Sequence, residues 1–226
     1  MRKIQRLAGI GVMAAATLAL AACGGTAAPA SSPAAGAPAA APATAAPAAT
    51  DTGVTTNADV FGPACSQLPQ GDAPGSLNNM GPQPVATAAS TNPLLTTLVT
   101  AVKAVPGLPD TLNNTQGITV FAPYNGAFDA VQKQIGAPAF QGLLKDTNKL
   151  GGLLSYHVVG KRYDAKSLVA AGQTTELAGG MLTIGGTADA PTITDGQGNT
   201  AKVLCGNIPT SNATVFVIDR VLMPKG

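Results

Sequence analysis

The side chains best suited to chemistry in this 226-residue sequence are three cysteines and a single histidine. Cys23, Cys65 and Cys205 lie far apart in the chain, and no C-x-x-C pair is present. Two distant cysteines and one histidine are too few ligands for a zinc site, and they lack the spacing of a redox pair. We therefore expect no metal and no cofactor.

His157 is the only histidine, so a general base of the usual kind would have to be this residue. Ser155 lies two positions earlier and would face the same side of an extended strand. However, no serine stands in a G-x-S-x-G sequence, and a lone histidine is a weak signal of catalysis. We predict a hydrogen-bonded structural histidine, no catalytic residue and no enzymatic activity. A hydrolase centred on Ser155 and His157 remains the alternative.

The charge of the chain restricts its partners. The sequence has 13 basic and 11 acidic residues, for a formal net charge of +2. Three of the basic residues, Arg2, Lys3 and Arg6, lie in a segment that we expect to be removed, which leaves 10 against 11, or −1. No stripe of lysine and arginine interleaved with aromatic residues is present, so we expect no binding to nucleic acid.

Residues 1–22 have the pattern of an export signal. The three basic residues form a positive head, and residues 7–22 are 16 apolar or small residues, fewer than the roughly 20 that span a bilayer. A retained membrane anchor or a buried core helix is the weaker interpretation, because the run ends in small residues and breaks at Gly24 and Gly25. The sequence therefore predicts an exported protein.

Leu20-Ala21-Ala22-Cys23 resembles a bacterial lipobox. The resemblance implies cleavage before Cys23 and a diacylglycerol on its sulfur, which would anchor the protein at the outer face of the cell membrane. Disulfides persist outside the cytoplasm, and an exported chain with two other cysteines most simply pairs Cys65 with Cys205.

The composition changes at about residue 57. Residues 24–56 consist mainly of Ala, Pro, Thr, Ser and Gly, and prolines favour an extended path of about 3.1 Å per residue. We predict the lipidated cysteine and a disordered tether over 23–56, followed by one domain over 57–226. That domain holds all eight aromatic residues.

Hydrophobic spacing indicates that helices precede most of the strands. Leu94, Leu95, Leu98, Val102 and Val105 recur at helical spacing before Pro106. Three further helical segments are predicted at 127–131, 140–144 and 150–154. Short β-rich runs are predicted at 117–123, 155–160, 174–180, 181–186, 191–205 and 214–224. Strands grouped after helices indicate an α+β fold and not a doubly wound parallel sheet.

Three blocks of this sequence resemble the fasciclin domain family. The first is Thr119 to Pro123 with Asn125, Ala127 and Phe128 after it, the second is Tyr156-His157, and the third is Thr214 to Pro224. The signature region covers about 84–224, and the whole chain is similar to mycobacterial cell-surface lipoprotein antigens with a single fasciclin domain. The resemblance implies helices packed on a β-wedge of two small sheets.

The resemblance also implies a function in extracellular adhesion to a host receptor or matrix protein. In animal relatives the Tyr-His region is implicated in receptor binding, so Tyr156 and His157 become the predicted partner-binding residues. We expect a monomer. The alternative is an envelope carrier of a lipid or small apolar ligand, which would need an apolar cavity of several hundred Å³.

Three local features complete the predictions. Tyr124 replaces the threonine usual in the family, so we expect Asn125 to cap the following helix. Residues 195–199, Asp-Gly-Gln-Gly-Asn, predict a hairpin turn and not a calcium loop, because the alternating acids and the terminal glutamate are absent. Asn113 and Asn212 begin glycosylation sequons that a bacterial lipoprotein would seldom use.

Overall fold

The computed structural model describes residues 53–225 of the chain. The predicted signal, Cys23 and most of the predicted tether lie outside this range, so their assignments stay predictions. Residues 53–56 were assigned to the tether, but they pack on the domain. Thr55 is buried, and the Thr214 hydroxyl donates a hydrogen bond to the Gly53 carbonyl at 2.8 Å. The packed part of the chain therefore includes residues before Asn57.

The helices of the described part lie mainly before residue 156. In chain order they are α1 (Leu77–Met80), α2 (Val85–Thr91), α3 (Thr96–Ala104), α4 (Leu108–Asn114), α5 (Asn125–Ile135), α6 (Ala137–Lys145), α7 (Thr147–Ser155) and α8 (Ala165–Ala171), with 3-10 helices at Asn57–Asp59, Pro63–Gln67 and Pro93–Leu95. The four predicted helices are confirmed as α3, α5, α6 and α7. Within residues 53–225 no single helix is long and apolar enough to cross a bilayer. Helix α2 and the segment Pro93–Ala104 would together have the length and composition of a span, but they are bent by 98° relative to each other.

The strands within residues 53–225 form a seven-stranded sheet. They are β1 (Ile118–Pro123), β2 (Val158–Val159), β3 (Gln173–Thr175), β4 (Met181–Thr187), β5 (Ala190–Thr194), β6 (Thr200–Pro209) and β7 (Ala213–Ile218), in the order β2-β1-β7-β6-β5-β4-β3. Only the β1–β7 pair is parallel. The start of β6 pairs with β5 and the rest pairs with β7, so this long strand joins two smaller sheets. The α+β fold with a β-wedge is confirmed.

Alternate residues of β1 and β7 face two separate cores. Val120 and Val215 point into the core that the helices cover, whereas Phe121 and Phe216 point into the core between the sheets. The two phenylalanine rings lie 6.0 Å apart. Both strands are buried along their whole length, which explains why each is a nearly continuous apolar run in the sequence.

A buried asparagine joins α2 to α4. The Asn212 Oδ1 accepts a hydrogen bond from the Val85 amide at 2.9 Å, at the start of α2. Its Nδ2 donates to the carbonyls of Leu112 and Thr115 at 2.7 and 2.6 Å, at the end of α4. Because the side chain is buried and bonded at both ends, the second sequon offers no accessible amide to a sugar in the folded domain.

Asn125 does not cap the helix that follows it, contrary to the prediction. It is the first residue of α5, whose N-cap position is Tyr124 and has no side-chain hydrogen bond. The Asn125 Oδ1 instead accepts from the Thr97 amide at 3.0 Å, and its Nδ2 donates to the Pro93 carbonyl at 3.0 Å. The side chain therefore caps α3, a neighbour in space and not the next element in the chain.

The N-terminal segment is fastened to β6, and we call this contact the N-terminal clasp. A disulfide with an S–S distance of 2.03 Å joins Cys65 to Cys205, the pair that the cysteine count predicts. Phe61 and Gly206 form an isolated antiparallel bridge beside it. A Cβ atom on Gly206 would collide with the Phe61 ring, so a larger residue here would displace that ring from the clasp.

Candidate functional site

Tyr156 and His157 lie in the turn between α7 and β2. Helix α7 begins at an N-cap aspartate, Asp146, and ends at Ser155. The predicted extended geometry for residues 155–157 is therefore wrong, because Ser155 closes a helix and the strand begins only at Val158. The helical end places the two side chains below the surface, between α7 and the last residues of the chain.

His157 connects α7 to the C-terminal residues through both ring nitrogens. The Leu153 carbonyl accepts from Nδ1 at 2.8 Å, and the Leu222 amide donates to Nε2 at 2.9 Å. Since a carbonyl only accepts and an amide N–H only donates, the ring is neutral with its proton on Nδ1. Burial lowers the pKa of His157 to about 4. No ring nitrogen is left to serve as a base for Ser155.

Tyr156 points into the core between the sheets. Its hydroxyl accepts a hydrogen bond from the Gly196 amide at 2.7 Å. Burial raises the pKa of the Tyr156 hydroxyl; the Gly196 bond opposes this rise, and the nearby carboxylates of Asp195 and Glu176 add to it. The hydroxyl therefore stays protonated and ties the turn after α7 to the β5–β6 turn.

Asp195 organises the β5–β6 turn, which confirms the predicted hairpin at 195–199. Its Oδ1 accepts from the amides of Gln197 and Asn199 at 3.0 and 2.8 Å. Its Oδ2 accepts from the Met223 amide at 2.9 Å, so the same buried carboxylate also holds the end of the chain. The Asp-Gly-Gln-Gly-Asn sequence indicated the turn, but nothing in it indicated this second contact.

The last described residues, 221–225, form a segment that we call the C-terminal strap. The strap has no strand partner. Its Leu222 amide is bound by His157 and its Met223 amide by Asp195, and the Gln197 side chain donates to the Pro224 carbonyl at 3.2 Å. The hydrogen bonds to these three successive residues all come from side chains, while Val221 and Leu222 are also packed in the interior.

A cleft opens above Tyr156, with the strap as one wall. The space inside it is about 440 Å³, and its lining is Tyr156, Glu176, Ala178, Gly179, Gly180, Met181, Gly196, Pro224 and Lys225. The Glu176 carboxylate is buried and accepts from the amides of Ala178 and Gly180, which fixes the conformation of the 176–180 loop. Leu177 on this loop is 50% exposed, and Met181 at its end is 58% exposed.

Tyr156 and His157 are only 2% and 3% exposed, so little of either side chain is available to a partner, and their role in partner binding stays a prediction. Tyr156 forms the floor of the cleft, and the outer surface of the site is supplied by Met181 and the strap, with the exposed Leu177 on the adjoining 176–180 loop. Sequence reasoning missed these residues; the only signal was two large apolar side chains beside the Gly179-Gly180 pair. Cys23 lies outside the described residues, and the Cys65–Cys205 disulfide belongs to the N-terminal clasp and not to the cleft.

A second, apolar crevice lies between α2, α3 and α4. It is lined by Val85, Ala86, Ala89, Leu98, Val99, Val102, Lys103, Pro109, Leu112, Val120, Phe121, Leu154, His157 and Val158. The space inside it that water can occupy is about 60 Å³. The carrier hypothesis needed several hundred Å³, so this crevice does not support it. Among residues 53–225, no cluster of three or more His, Cys, Asp or Glu could hold a metal ion.

Comparison with known proteins gives one family and one fold. The Fasciclin domain family model matches residues 93–224. The chain is 41% identical over 175 residues to the cell surface glycolipoprotein MPT83 of Mycobacterium tuberculosis, which covers 74% of this chain and 73% of that protein. It is 38% identical over 177 residues to the immunogenic protein MPB70 of Mycobacterium bovis, which covers 74% of this chain and 83% of that protein.

A solved structure gives the same fold. The FAS1 domain pair of the insect cell adhesion molecule fasciclin I superimposes with a TM-score of 0.54 at 19% identity. The match covers 62% of this chain and 51% of that structure, so the chain spans about half the length of the domain pair. At this identity the likeness concerns the fold alone.

Proposed function

Because the chain belongs to the fasciclin domain family, we propose that it is an extracellular recognition domain of the adhesion type, anchored to the cell membrane through a lipid on Cys23. Its relatives carry the names of cell-surface and immunogenic proteins, and the solved neighbour is a cell adhesion molecule. The observation that carries the proposal is the cleft above Tyr156, which combines a fixed wall with exposed apolar side chains.

The polar groups of the cleft favour binding over catalysis. The Glu176 carboxylate already accepts two backbone amides, and both nitrogens of His157 are bonded. A general acid or base must be free to exchange a proton with substrate. These groups are fixed in structural bonds, so we propose a site that recognises a surface and leaves it unchanged.

The partner that fits this cleft is a protein surface with a protruding apolar side chain, on a host receptor or in the extracellular matrix. Leu177 and Met181 are two of the four large apolar residues exposed within residues 53–225. Fully burying such a side chain contributes about 1.5–3 kcal/mol, and a preordered loop loses little entropy on binding. The 176–180 loop has an exposed apolar side chain, Leu177, and its conformation is already fixed by Glu176.

Recognition is tested by the adhesion of cells that display the full chain to surfaces coated with host cells or matrix protein. The double variant Leu177→Ser/Met181→Ser is expected to lower affinity by about tenfold or more, since each tenfold step is about 1.4 kcal/mol. Ile135→Ser is the matched control, because Ile135 is 41% exposed on another element, α5. Equal losses in both variants, or none in either, would place the interface elsewhere.

The anchor is tested with Cys23→Ser in the full chain. Two acyl chains give stable membrane attachment, so the variant is expected to leave the detergent phase and to lose cell-surface labelling. Mass spectrometry of the native protein should show an acylated cysteine at its start. Unchanged partitioning of the variant would refute the anchor without touching the cleft.

A further inference from the structure

The position of the C-terminal strap depends on a few side chains. Its Leu222 and Met223 amides are bound by His157 and Asp195, and no ladder of backbone bonds supports them. Pro224 nevertheless forms part of the cleft wall, and Leu222 is a fully buried member of the core between the sheets. A change in His157 or Asp195 would therefore affect both the cleft and that core.

The bond to Leu222 exists only while His157 is neutral. Nδ1 already carries a proton that points at the Leu153 carbonyl, so a second proton must bind Nε2. There it would face the N–H of Leu222, and two donors would meet where a donor now meets an acceptor. The ring would also carry a buried charge, and an unpaired buried charge or amide is costly. Protonation therefore opposes the bound position of the strap.

The groups around His157 provide little compensation for that charge. Asp195 is the carboxylate that faces it, and this carboxylate is already occupied by three backbone amides. Tyr156 presents a ring at 6.5 Å, and Glu176 lies beyond it. Helix α7 and strand β1 contribute the Leu153 carbonyl and apolar side chains. Across the apolar crevice the only charged residue is Lys103, a cation.

We propose that residues 221–225 are an acid-released strap: protonation of His157 frees the strap, removes one wall of the cleft and ends recognition at this site. The release follows from the hydrogen-bond geometry, whereas its effect on recognition rests on the proposed function. The released fraction is therefore smallest at neutral pH and increases as the pH falls.

The pH range follows from the two states of the ring. With the strap bound, burial lowers the pKa of His157 to about 4, against the opposing effects of the Leu153 bond and of Asp195. With the strap released, the ring regains water and its pKa returns to about 6.5. A proton then binds the released form more tightly, so release increases about tenfold per pH unit between pH 6 and 5. Above pH 6.5 release is constant, and near pH 4 it levels off.

Nuclear magnetic resonance of the full chain measures both events at once. Because the chain has one histidine, its imidazole signal reports His157 without ambiguity. Exchange of the Leu222 and Met223 amides with solvent, corrected for the intrinsic effect of pH, reports release. The expected result is a rise of about tenfold in the opening constant per unit from pH 6 to 5, with amides at the centre of β7 unchanged. An opening constant that does not vary with pH would overturn the proposal.

Two variants distinguish the protonation of His157 from the protonation of nearby carboxylates. His157→Gln keeps an acceptor for Leu222 but cannot be protonated, so its opening constant is expected to be flat over the same range. Asp195→Asn keeps His157 and should retain the rise, but on a higher baseline, because the amide nitrogen of asparagine cannot accept from the backbone amides that the carboxylate now binds. A rise of equal size in His157→Gln would overturn the proposal, and the wild-type measurement decides it if that variant does not fold.

The adhesion assay, repeated at pH 7 and pH 5, distinguishes this inference from the proposed function. Release of the strap together with loss of adhesion supports both. Release with unchanged adhesion keeps the acid-released strap as a physical device, but it overturns the cleft as the recognition site. Loss of adhesion without release overturns the strap and leaves the cleft in place.

Discussion

Asn212 shows how much one side chain contributes to this domain. It accepts from the first amide of α2 and donates to the Leu112 and Thr115 carbonyls at the end of α4, and the bonds to Val85 and Leu112 are buried. The buried Val85 amide and Leu112 carbonyl would each lose this partner if the side-chain amide were removed. Two helices that contribute no strong local signal therefore depend on a residue that follows them by about a hundred positions.

We predict that Asn212→Ala lowers the free energy of unfolding by about 3 kcal/mol, because an unsatisfied buried polar group costs about 1–3 kcal/mol. Urea unfolding of the purified domain measures the loss. Asn114→Ala is the control: Asn114 is exposed on the same helix end, and a change there is expected to stay within about 0.5 kcal/mol. A loss below 1 kcal/mol in Asn212→Ala would contradict the role of Asn212 in joining α2 to α4.

At the residue scale, the family resemblance singled out Tyr156 and His157, but the sequence predicted neither the helical turn that holds them nor their burial. Tyr156 and His157 stood out as a pair, and a structural role for His157 was predicted from its isolation. Their burial depends on α7 ending at Ser155 and on the strap lying over them. The strap is some 65 residues away in sequence, so no local pattern reveals this contact.

At the element scale, hydrophobic periodicity worked where side chains were large. The leucine and valine spacing of α3 and the apolar runs of β1 and β7 were readable. Helix α2 was missed because its sequence is Val-Ala-Thr-Ala-Ala-Ser-Thr, which has almost no large apolar residue to show a period. Helix α4 was missed because Pro109 near its start resembles a break, although proline is well tolerated in the first turn.

Helix α6 contains a glycine that the fold does not need. Gly142 lies within the helix, and a Cβ atom there would meet no neighbour within 4 Å. We predict that Gly142→Ala raises the free energy of unfolding by up to about 1 kcal/mol, the difference in helix propensity. Thermal unfolding measures the gain.

Gly136 supplies the opposite control for that prediction. It precedes α6 with a φ of 85°, a conformation that side chains with a Cβ atom rarely adopt. Gly136→Ala is therefore expected to lower the melting temperature while Gly142→Ala raises it. Destabilisation by both changes would mean that α6 does not have the conformation described here.

At the scale of the whole molecule, the order of elements was sufficient to predict the α+β class, and the family resemblance supplied the wedge. The closure of the sheet was not predicted. It depends on the parallel pairing of β1 with β7 and on the bridge between Val159 and Glu176, which connects strands from distant parts of the chain. Pairing of this kind is decided by three-dimensional packing and has no signature in local composition.

The disulfide is the strongest single constraint on the unfolded chain. It closes a loop with a sequence separation of 140, for which chain entropy gives a stabilisation of about 5 kcal/mol. We predict that the double variant Cys65→Ser/Cys205→Ser loses several kcal/mol of unfolding free energy in urea. A reductant should destabilise the wild type to a similar extent and leave the variant unchanged. Equal stability with and without reductant in the wild type would contradict the bond.

The N-terminal clasp also decides how the domain responds to tension. A force applied to the chain ahead of Gly53 enters at Phe61 and Cys65 and passes through the covalent bond directly into β6. Helices α1 to α8 lie inside the closed loop, so pulling the chain from its ends cannot extend them while the disulfide is intact. A stretched molecule therefore lengthens only through the residues before Cys65 and after Cys205, and the loop between them stays closed.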